Sequence, residues 1–331
     1  MLQAFHRYGA HRGLPAATAA LVVLGLLVWW LWPREEPPTG TITISTGAEE
    51  GVYYEYGERL RTAIARDMPG LRVVLQSSAG SQQNVARVAT GEADFAIAAA
   101  DAVEAYQLDR RPGHGKLRGM ARLYDDYVQL VVPQTSDIET VGDLKGKRVG
   151  VGQDNSGVRL IADRVLQAAG LDPRHDIEPE DDGIRTGPNR LRSGSIDAFF
   201  WSGGLPTRGL EELAEKYDFR FVEIDTTIVA TLHDQDDAFG YYRSSVMPAE
   251  AYPSIQRGQT VQTLTVANLL LTRADMDPRL TEWLTRRVIN SRDSIGSHVH
   301  SAQLVDLRTA IYTEPLDLHE GARRYYRSVK P

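Results

Sequence analysis

Residues 41–57 read TITISTGAEEGVYYEYG, and this stretch decides the fold. Its opening residues, TITIST, alternate β-branched side chains, a pattern that predicts a strand. A turn follows over 47–51, and from Val52 to Met68 apolar residues recur at helical spacing until Pro69. A strand that passes through a short turn into a helix is the repeating unit of an α/β sheet covered by helices.

The same order repeats in the next part of the chain. The hydrophobic pattern predicts strands over 71–76 and 94–100, and a helix between them over 81–90 with Ser81 as its N-cap. Asp101 is expected to cap the helix that follows the second of these strands. Successive strand–helix units of this kind predict an α/β fold.

A second α/β unit follows two predicted strands over 117–123 and 127–132. Its main elements are predicted at 147–151 (strand), 158–169 (helix), 197–201 (strand) and 219–224 (strand), and a long strand at 260–271 then returns the chain. The predicted organisation is a first lobe over 40–133, a second lobe over 134–246 and a return to the first lobe over 247–331. Two lobes enclose a cleft, and small ligands bind preferentially in such clefts.

The residues before the first lobe predict a signal-anchor helix and a Pro-rich spacer over 1–39. Residues 13–33 carry no charge, and roughly 20 apolar residues are enough to cross the hydrocarbon core of a bilayer. Tryptophans at one end favour a membrane interface, and Arg7 and Arg12 place the other end in the cytoplasm. A cleaved signal peptide is the alternative, although no small-residue cleavage site follows the apolar run. We therefore expect a single-pass protein of the cell membrane with residues 41–331 outside the cytoplasm.

Composition and motifs exclude several classes of function. The chain of 331 residues carries a formal net charge of −7 and no extended basic cluster, so nucleic acid is not an expected partner. It contains no cysteine, which excludes a thiol nucleophile and thiolate metal sites. Nucleotide-binding glycine spacings, the His-x-x-x-His spacing of a helical zinc site and a Gly-x-Ser-x-Gly elbow are also absent from the sequence. We therefore expect a protein that is not an enzyme and uses no cofactor or metal.

Polar loops follow several predicted strands, at the sheet edge where open α/β proteins bind ligands. Each combines glycine, which lets a ligand approach the backbone, with Ser, Asn or Tyr side chains; the loops are 47–54, 77–81, 155–159 and 201–204. Most precede a predicted helix N-terminus, whose free N–H groups favour an anion. The alternative is that they are ordinary turns and helix caps. Their recurrence at equivalent strand ends favours a binding site for a small anionic organic solute.

These loops and several neighbouring blocks resemble the TAXI family, which are the extracytoplasmic solute-binding subunits of tripartite ATP-independent periplasmic (TRAP) transporters. The most specific blocks are GVYYEYG at 51–57 and LDLHEGARRYY at 316–326, and GSQQN at 80–84 and GSIDAFF at 194–200 add to them. The resemblance covers nearly all of 41–331. It implies the two-lobed, type II periplasmic-binding-protein fold.

The resemblance also implies a receptor that closes on its solute and delivers it to a TRAP-type permease. The implied solute is a dicarboxylate or an amino-acid-like compound, such as glutamate or 2-oxoglutarate. Together, the loops and the resemblance predict the following ligand-binding residues: Gly51, Val52, Tyr53, Ser81, Asn84, Asp101, Asn155, Ser156, Gly157, Val158, Arg159 and Trp201.

Two departures from the family pattern predict an altered polarity of the solute. Glu50 stands where the family usually has a glycine, and NSGV at 155–158 stands where it often has Gly-Ser-Gly-Thr, with Arg159 following. Two rival hypotheses remain beside the solute receptor. One is a ligand sensor that signals to a membrane partner. The other is an enzyme on the same fold, although no nucleophile or acid–base pair is visible.

Overall fold

The chain divides into two compact units, Met1–Pro37 and Pro38–Pro331. In the first unit residues 21–24 are helical, and most of the predicted membrane anchor lies outside the described residues. Within the described part of the chain, no helix combines the length and the apolar character needed to span a bilayer. The computed structural model describes residues 21–24, 36–235, 240–297, 302–303 and 305–330.

The second unit is built on a ten-stranded sheet. Its strands are β1 (Gly40–Ser45), β2 (Leu71–Gln76), β3 (Phe95–Ala99), β4 (Leu117–Pro133), β5 (Arg148–Gly150), β6 (Glu178–Glu180), β7 (Ala198–Gly203), β8 (Phe219–Val222), β9 (Arg243–Met247) and β10 (Val261–Arg273). The strand order is β2-β1-β3-β10-β4-β7-β5-β6, with β8 paired to β4 and β9 paired to β10. β1 pairs in parallel with β2 and β3, and β5 pairs in parallel with β6 and β7, as strand–helix–strand connections require.

The helices follow the predicted strand–helix order. They are α1 (Val52–Asp67), α2 (Ser81–Thr90), α3 (Ala100–Leu108), α4 (Gly157–Ala168), α5 (Gly187–Arg192), α6 (Arg208–Ala214), α7 (Thr226–Gln235), α8 (Pro253–Gln256), α9 (Pro278–Asn290), α10 (Arg292–Gly296) and α11 (Glu320–Val329). The predicted helices over 52–68 and 81–90 are confirmed to within one residue. Ser81 is the first residue of α2, whereas Gly80 occupies the N-cap position. The elements α7, α8, β6 and β9 have no predicted counterpart.

Two long antiparallel strands, β4 and β10, connect the lobes. The first part of β4 pairs with the last part of β10, whereas the end of β4 pairs with β7 and β8. In the same way, β10 pairs first with β9 and then with β3. The predicted α/β architecture with two lobes is therefore confirmed. The predicted lobe boundaries after Pro133 and near Met247 stay a prediction; these residues end β4 and β9.

Each lobe has a hydrophobic core of its own. In the first lobe, Ile44 of β1 packs in one cluster with Leu60 of α1 and Leu284 of α9. In the second lobe, Phe200 of β7 packs in another cluster with Ile161 of α4. Separate cores joined by two strands allow the lobes to move as rigid bodies around a hinge, the arrangement of proteins that close on a ligand.

One strand differs from the prediction. The sequence predicts separate strands over 117–123 and 127–132, but β4 is continuous through both. The apolar pattern breaks at Asp125 and Asp126, yet their backbone continues to pair with β10. The side chain of Asp126 is only 2 % exposed. A buried acid within a strand interrupts the hydrophobic pattern without interrupting the hydrogen-bond ladder.

Candidate functional site

A cavity of about 400 Å³ lies where all four predicted polar loops meet. Most of the predicted site residues line its wall, namely Gly51, Val52, Tyr53, Ser81, Ser156, Gly157, Val158 and Trp201. The loops before α1 and α2 come from the first lobe, and the loop at α4 comes from the second. The fourth predicted loop is part of a strand: Trp201, Ser202 and Gly203 are the last residues of β7. The cavity is therefore an interlobe cleft.

Three helices begin at this cleft. The first residues of α1, α2 and α4 are Val52, Ser81 and Gly157, and all three line the wall. The Ser156 hydroxyl caps α4 by accepting from the Arg159 nitrogen at 3.0 Å. The first N–H groups of a helix have no partner within the helix, and the positive end of its dipole favours a negative charge. Three such ends around one cavity make it suitable for a carboxylate or a similar anion.

The two lobes touch at the entrances of α2 and α4. The Gln82 side chain donates to the Ser156 carbonyl at 2.8 Å, and the Gln83 nitrogen donates to the Asn155 carbonyl at 3.0 Å. Asn155 has a positive φ of 63°, a conformation that asparagine tolerates better than most residues. Asn155 does not line the cavity, and its observed role is to join the lobes. These contacts describe a closed form of the cleft.

Tyr53 connects the wall of the cleft to its floor. Its hydroxyl lies 3.1 Å from Ser81 Oγ and 3.2 Å from Asp126 Oδ2, and it also bonds Asn268 Oδ1. Ser81 Oγ accepts from the Ala99 nitrogen at 3.1 Å, which leaves its own hydrogen for the Tyr53 oxygen. Since a hydroxyl carries one hydrogen, Tyr53 donates to Asp126 or Asn268. The ring of Tyr53 therefore faces the cleft while its hydroxyl is engaged within the protein.

Asp126 is a site residue that the sequence reasoning missed. It lines the cavity, and its Oδ1 atom makes no hydrogen bond to any described residue. Burial raises the pKa of the Asp126 carboxyl to about 7, although the side chains of Asn268 and Tyr53 partly offset the rise. A pair of acids inside a strand of mostly apolar residues was the signal that could have identified it.

Asn84, a predicted ligand-binding residue, makes its side-chain hydrogen bonds within the protein. The Asn84 side chain accepts from Ser45 Oγ at 2.6 Å and Ser78 Oγ at 2.7 Å, and it donates to the carbonyls of Thr46 and Ile97. With these four bonds its amide is fully used, and it is absent from the cavity wall. Asn84 therefore ties β1 and β3 to α2 rather than facing the solute, which corrects its predicted role.

Asp101 belongs to a buried group of three side chains that connects the lobes, namely Asp101, Arg164 and Tyr242. The Tyr242 hydroxyl donates to Asp101 Oδ2 at 2.7 Å, and Arg164 lies 3.6 Å from the same oxygen. Burial raises the pKa of Asp101, and the positive charge of Arg164 acts against the rise. Asp101 lies on α3 of the first lobe and Arg164 on α4 of the second, so the predicted ligand contact is corrected to a contact between lobes.

Three arginines at or near the cavity differ in the contacts that they make with other protein groups. Arg159, which was predicted to bind the solute, lies outside the cavity wall and pairs with Asp181 at 3.0 Å and Asp163 at 3.5 Å. Arg87 lines the cavity but donates to the Ser77 carbonyl at 2.9 Å. Arg185 lines it as well, and its side chain is exposed. The sequence carried no signal that separated Arg185 from other surface arginines.

Comparison with known protein families shows which family the chain belongs to. A family model described as the NMT1-like family matches residues 44–329, which include every loop of the cleft. The chain belongs to the NMT1-like family. This NMT1-like protein is similar to the solved structure of a putative L-cystine ABC transporter from Listeria monocytogenes, with 15 % identity and a TM-score of 0.52 over 81 % of this chain and 99 % of that chain.

A second solved structure, from Bordetella bronchiseptica RB50, is 18 % identical with a TM-score of 0.51, and the match covers 88 % of this chain and 90 % of that chain. At these identities the likeness concerns the fold. The NMT1-like chain has the mixed α/β, two-lobed fold of periplasmic binding proteins.

Proposed function

We propose that this protein is an extracytoplasmic receptor that binds a small anionic organic solute between its lobes and delivers it to a membrane permease. The observation that carries the proposal is the meeting of three helix N-termini around a cavity of about 400 Å³ between two lobes. This volume lies within the range of small-molecule sites, and Arg185 adds a positive charge at the wall. A carboxylate, as in a dicarboxylate or an amino-acid-like compound, satisfies both features.

The permease that we propose is of the TRAP type, because the blocks GVYYEYG and LDLHEGARRYY resemble the TAXI family. The first block forms the start of α1 and lines the cleft, and the second leads into α11. An ABC-type permease is the alternative, since the similar Listeria protein carries that description.

Solute binding is expected to stabilise the protein against heat. A solute at 100 times its Kd adds roughly 2.7 kcal/mol to the free energy of unfolding when it binds the folded state only. A thermal-shift screen of dicarboxylates, keto acids, hydroxy acids and amino acids measures this effect. Isothermal calorimetry on each positive compound then gives its affinity. A broad library in which no compound moves the melting temperature contradicts the proposed function.

We also propose that residues 1–39 remain attached and tether the receptor to the membrane. The support is the uncharged stretch 13–33 with arginines before it and no cleavage motif after it. Membrane fractionation of the full-length protein is expected to place it in the membrane pellet. A mature chain that is released in soluble form and begins near residue 40 contradicts the tether and leaves the solute-receptor proposal intact.

A further inference from the structure

Asp126 lies at the floor of the cleft, in the part of β4 that passes from one lobe to the other. Its side chain is almost fully buried. Oδ2 lies 3.2 Å from the Tyr53 hydroxyl, which donates either to it or to Asn268 Oδ1, whereas Oδ1 of Asp126 has no hydrogen-bond partner in the described part of the chain. Because a buried acceptor without a donor is unfavourable, a bound solute that supplies a donor here gains affinity.

A second acid reinforces this preference. Glu50 lines the same cavity, and its Oε2 atom also lacks a hydrogen-bond partner among the described residues. A solute carboxylate placed near these two acids meets like charge in a poorly solvated cavity. The helix N-termini and the two acids therefore favour opposite chemical groups.

We propose that Asp126 is a specificity-determining residue of the cleft, where it accepts a hydrogen bond from a hydroxyl, amide or ammonium group of the solute. The carboxylate of the same solute then lies at the N-termini of α2 and α4, because Glu50 directly precedes the N-cap of α1. This inference rests on the proposed function and narrows its solute class. Dicarboxylates are disfavoured, and carboxylates with a hydrogen-bond donor at the other end are favoured.

Groups around Asp126 shift the pKa of its carboxyl, so the preference for solutes with a hydrogen-bond donor depends on pH. The groups that act on it are Tyr53 of α1, Asp101 of α3, Tyr124 and Asp125 of β4 and Asn268 of β10. Burial is the main cause of the raised pKa of Asp126; the side chains of Asn268 and Tyr53 lower this pKa, and the negative charges of Asp125 and Asp101 raise it further. Above a pH of about 7 the carboxylate only accepts hydrogen bonds; below it, the protonated carboxyl can donate to a second solute carboxylate. Discrimination against dicarboxylates is therefore strongest at alkaline pH and weakens as the pH falls.

The test compares acids of equal length that differ at one end only, such as glutarate, 5-hydroxypentanoate and 5-aminopentanoate. Calorimetry is done on the full chain at about pH 8 and about pH 6, on either side of the raised pKa. At the higher pH, the two donor-bearing probes are expected to bind roughly 10- to 100-fold tighter than glutarate, the range for a hydrogen bond to a charged group. At the lower pH the ratio is expected to shrink.

The Asp126→Asn variant is expected to bring the ratio close to one, because an amide both donates and accepts. Asp125→Asn is the matched control at the higher pH: this neighbour pairs with Arg122 at 2.6 Å and does not line the cavity, and Asp126 is ionised there with or without the charge of Asp125, so the ratio is expected to stay unchanged. Glutarate binding as tightly as the other probes to the wild type at the higher pH overturns the inference, even if Asp126→Asn fails to fold. An unchanged ratio in folded Asp126→Asn overturns it too. If no carboxylate of any length binds the wild type, the proposed function itself fails.

Discussion

Replacing Gly321 by alanine is expected to lower the free energy of unfolding by about 3 kcal/mol, at the upper end of what overpacking a core position costs. A Cβ atom at this position would lie 2.7 Å from the Glu282 nitrogen, and closer still to the Pro278 carbonyl and the Thr281 hydroxyl. These neighbours belong to α9, on which the start of α11 rests. Since two of the three clashes involve backbone, the helices must move apart to admit the methyl group.

The residues before Gly321 explain why α11 approaches so closely. His319 Nδ1 accepts hydrogen bonds from the Thr281 hydroxyl at 2.8 Å and from the Gly321 nitrogen at 3.1 Å. Burial lowers the pKa of His319, so the ring is neutral at neutral pH and Nδ1 is able to accept. In the LDLHEGARRYY block, His319 and Gly321 therefore serve helix packing.

Urea unfolding of the Gly321→Ala variant measures the expected loss. Gly115→Ala is the control, because a Cβ atom at Gly115 has no neighbour within 4 Å, and its stability is expected to change little. A Gly321→Ala variant as stable as Gly115→Ala contradicts the close packing of α9 and α11 at this point.

Replacing Gly157 by alanine is expected to weaken solute binding roughly 5- to 150-fold, since overpacking the closed cleft costs about 1–3 kcal/mol. A Cβ atom at Gly157, the first residue of α4, would lie 2.9 Å from Ser81 Oγ across the cleft. Ser81 Oγ is held by the Ala99 nitrogen and by Tyr53, so it cannot easily move away. We expect the methyl group to meet no obstacle when the lobes separate.

Calorimetry with the tightest solute of the thermal-shift screen measures the change for Gly157→Ala. The free energy of unfolding of the solute-free variant is expected to stay close to the wild-type value, because alanine suits a helix better than glycine. Gly115→Ala again serves as the control and is expected to bind as the wild type does. Unchanged affinity in Gly157→Ala indicates that the solute binds without closure at this contact, contrary to our expectation.

Local sequence patterns predicted the bounds of the first strand and the first helix accurately. The alternation of TITIST and the helical spacing after Val52 place β1 and α1 within a residue of their observed bounds, because both depend on neighbours along the chain. The positions of the polar segments around the cleft were predictable because the ends of parallel strands share one edge of a sheet, although Trp201 to Gly203 belong to β7 and not to a loop. The β-branched segment Thr226–Gln235 was not predicted as a helix, because its intrinsic propensity is weak.

The roles of single polar residues were decided by tertiary contacts. Asn84 and Asp101 are polar residues at sequence positions where ligand-binding residues are expected. Their hydrogen-bond partners, Ser45 and Tyr242, nevertheless lie far away along the chain. Asp126 interrupts an apolar pattern, and only the folded cleft places it beside Tyr53 and Asn268. A sequence pattern reports which groups lie on the same element, whereas hydrogen-bond saturation, burial and pKa depend on groups that other elements bring within a few ångström. The sequence by itself therefore determined the architecture and the location of the cleft, and the tertiary structure decided which side chains remain available to a solute.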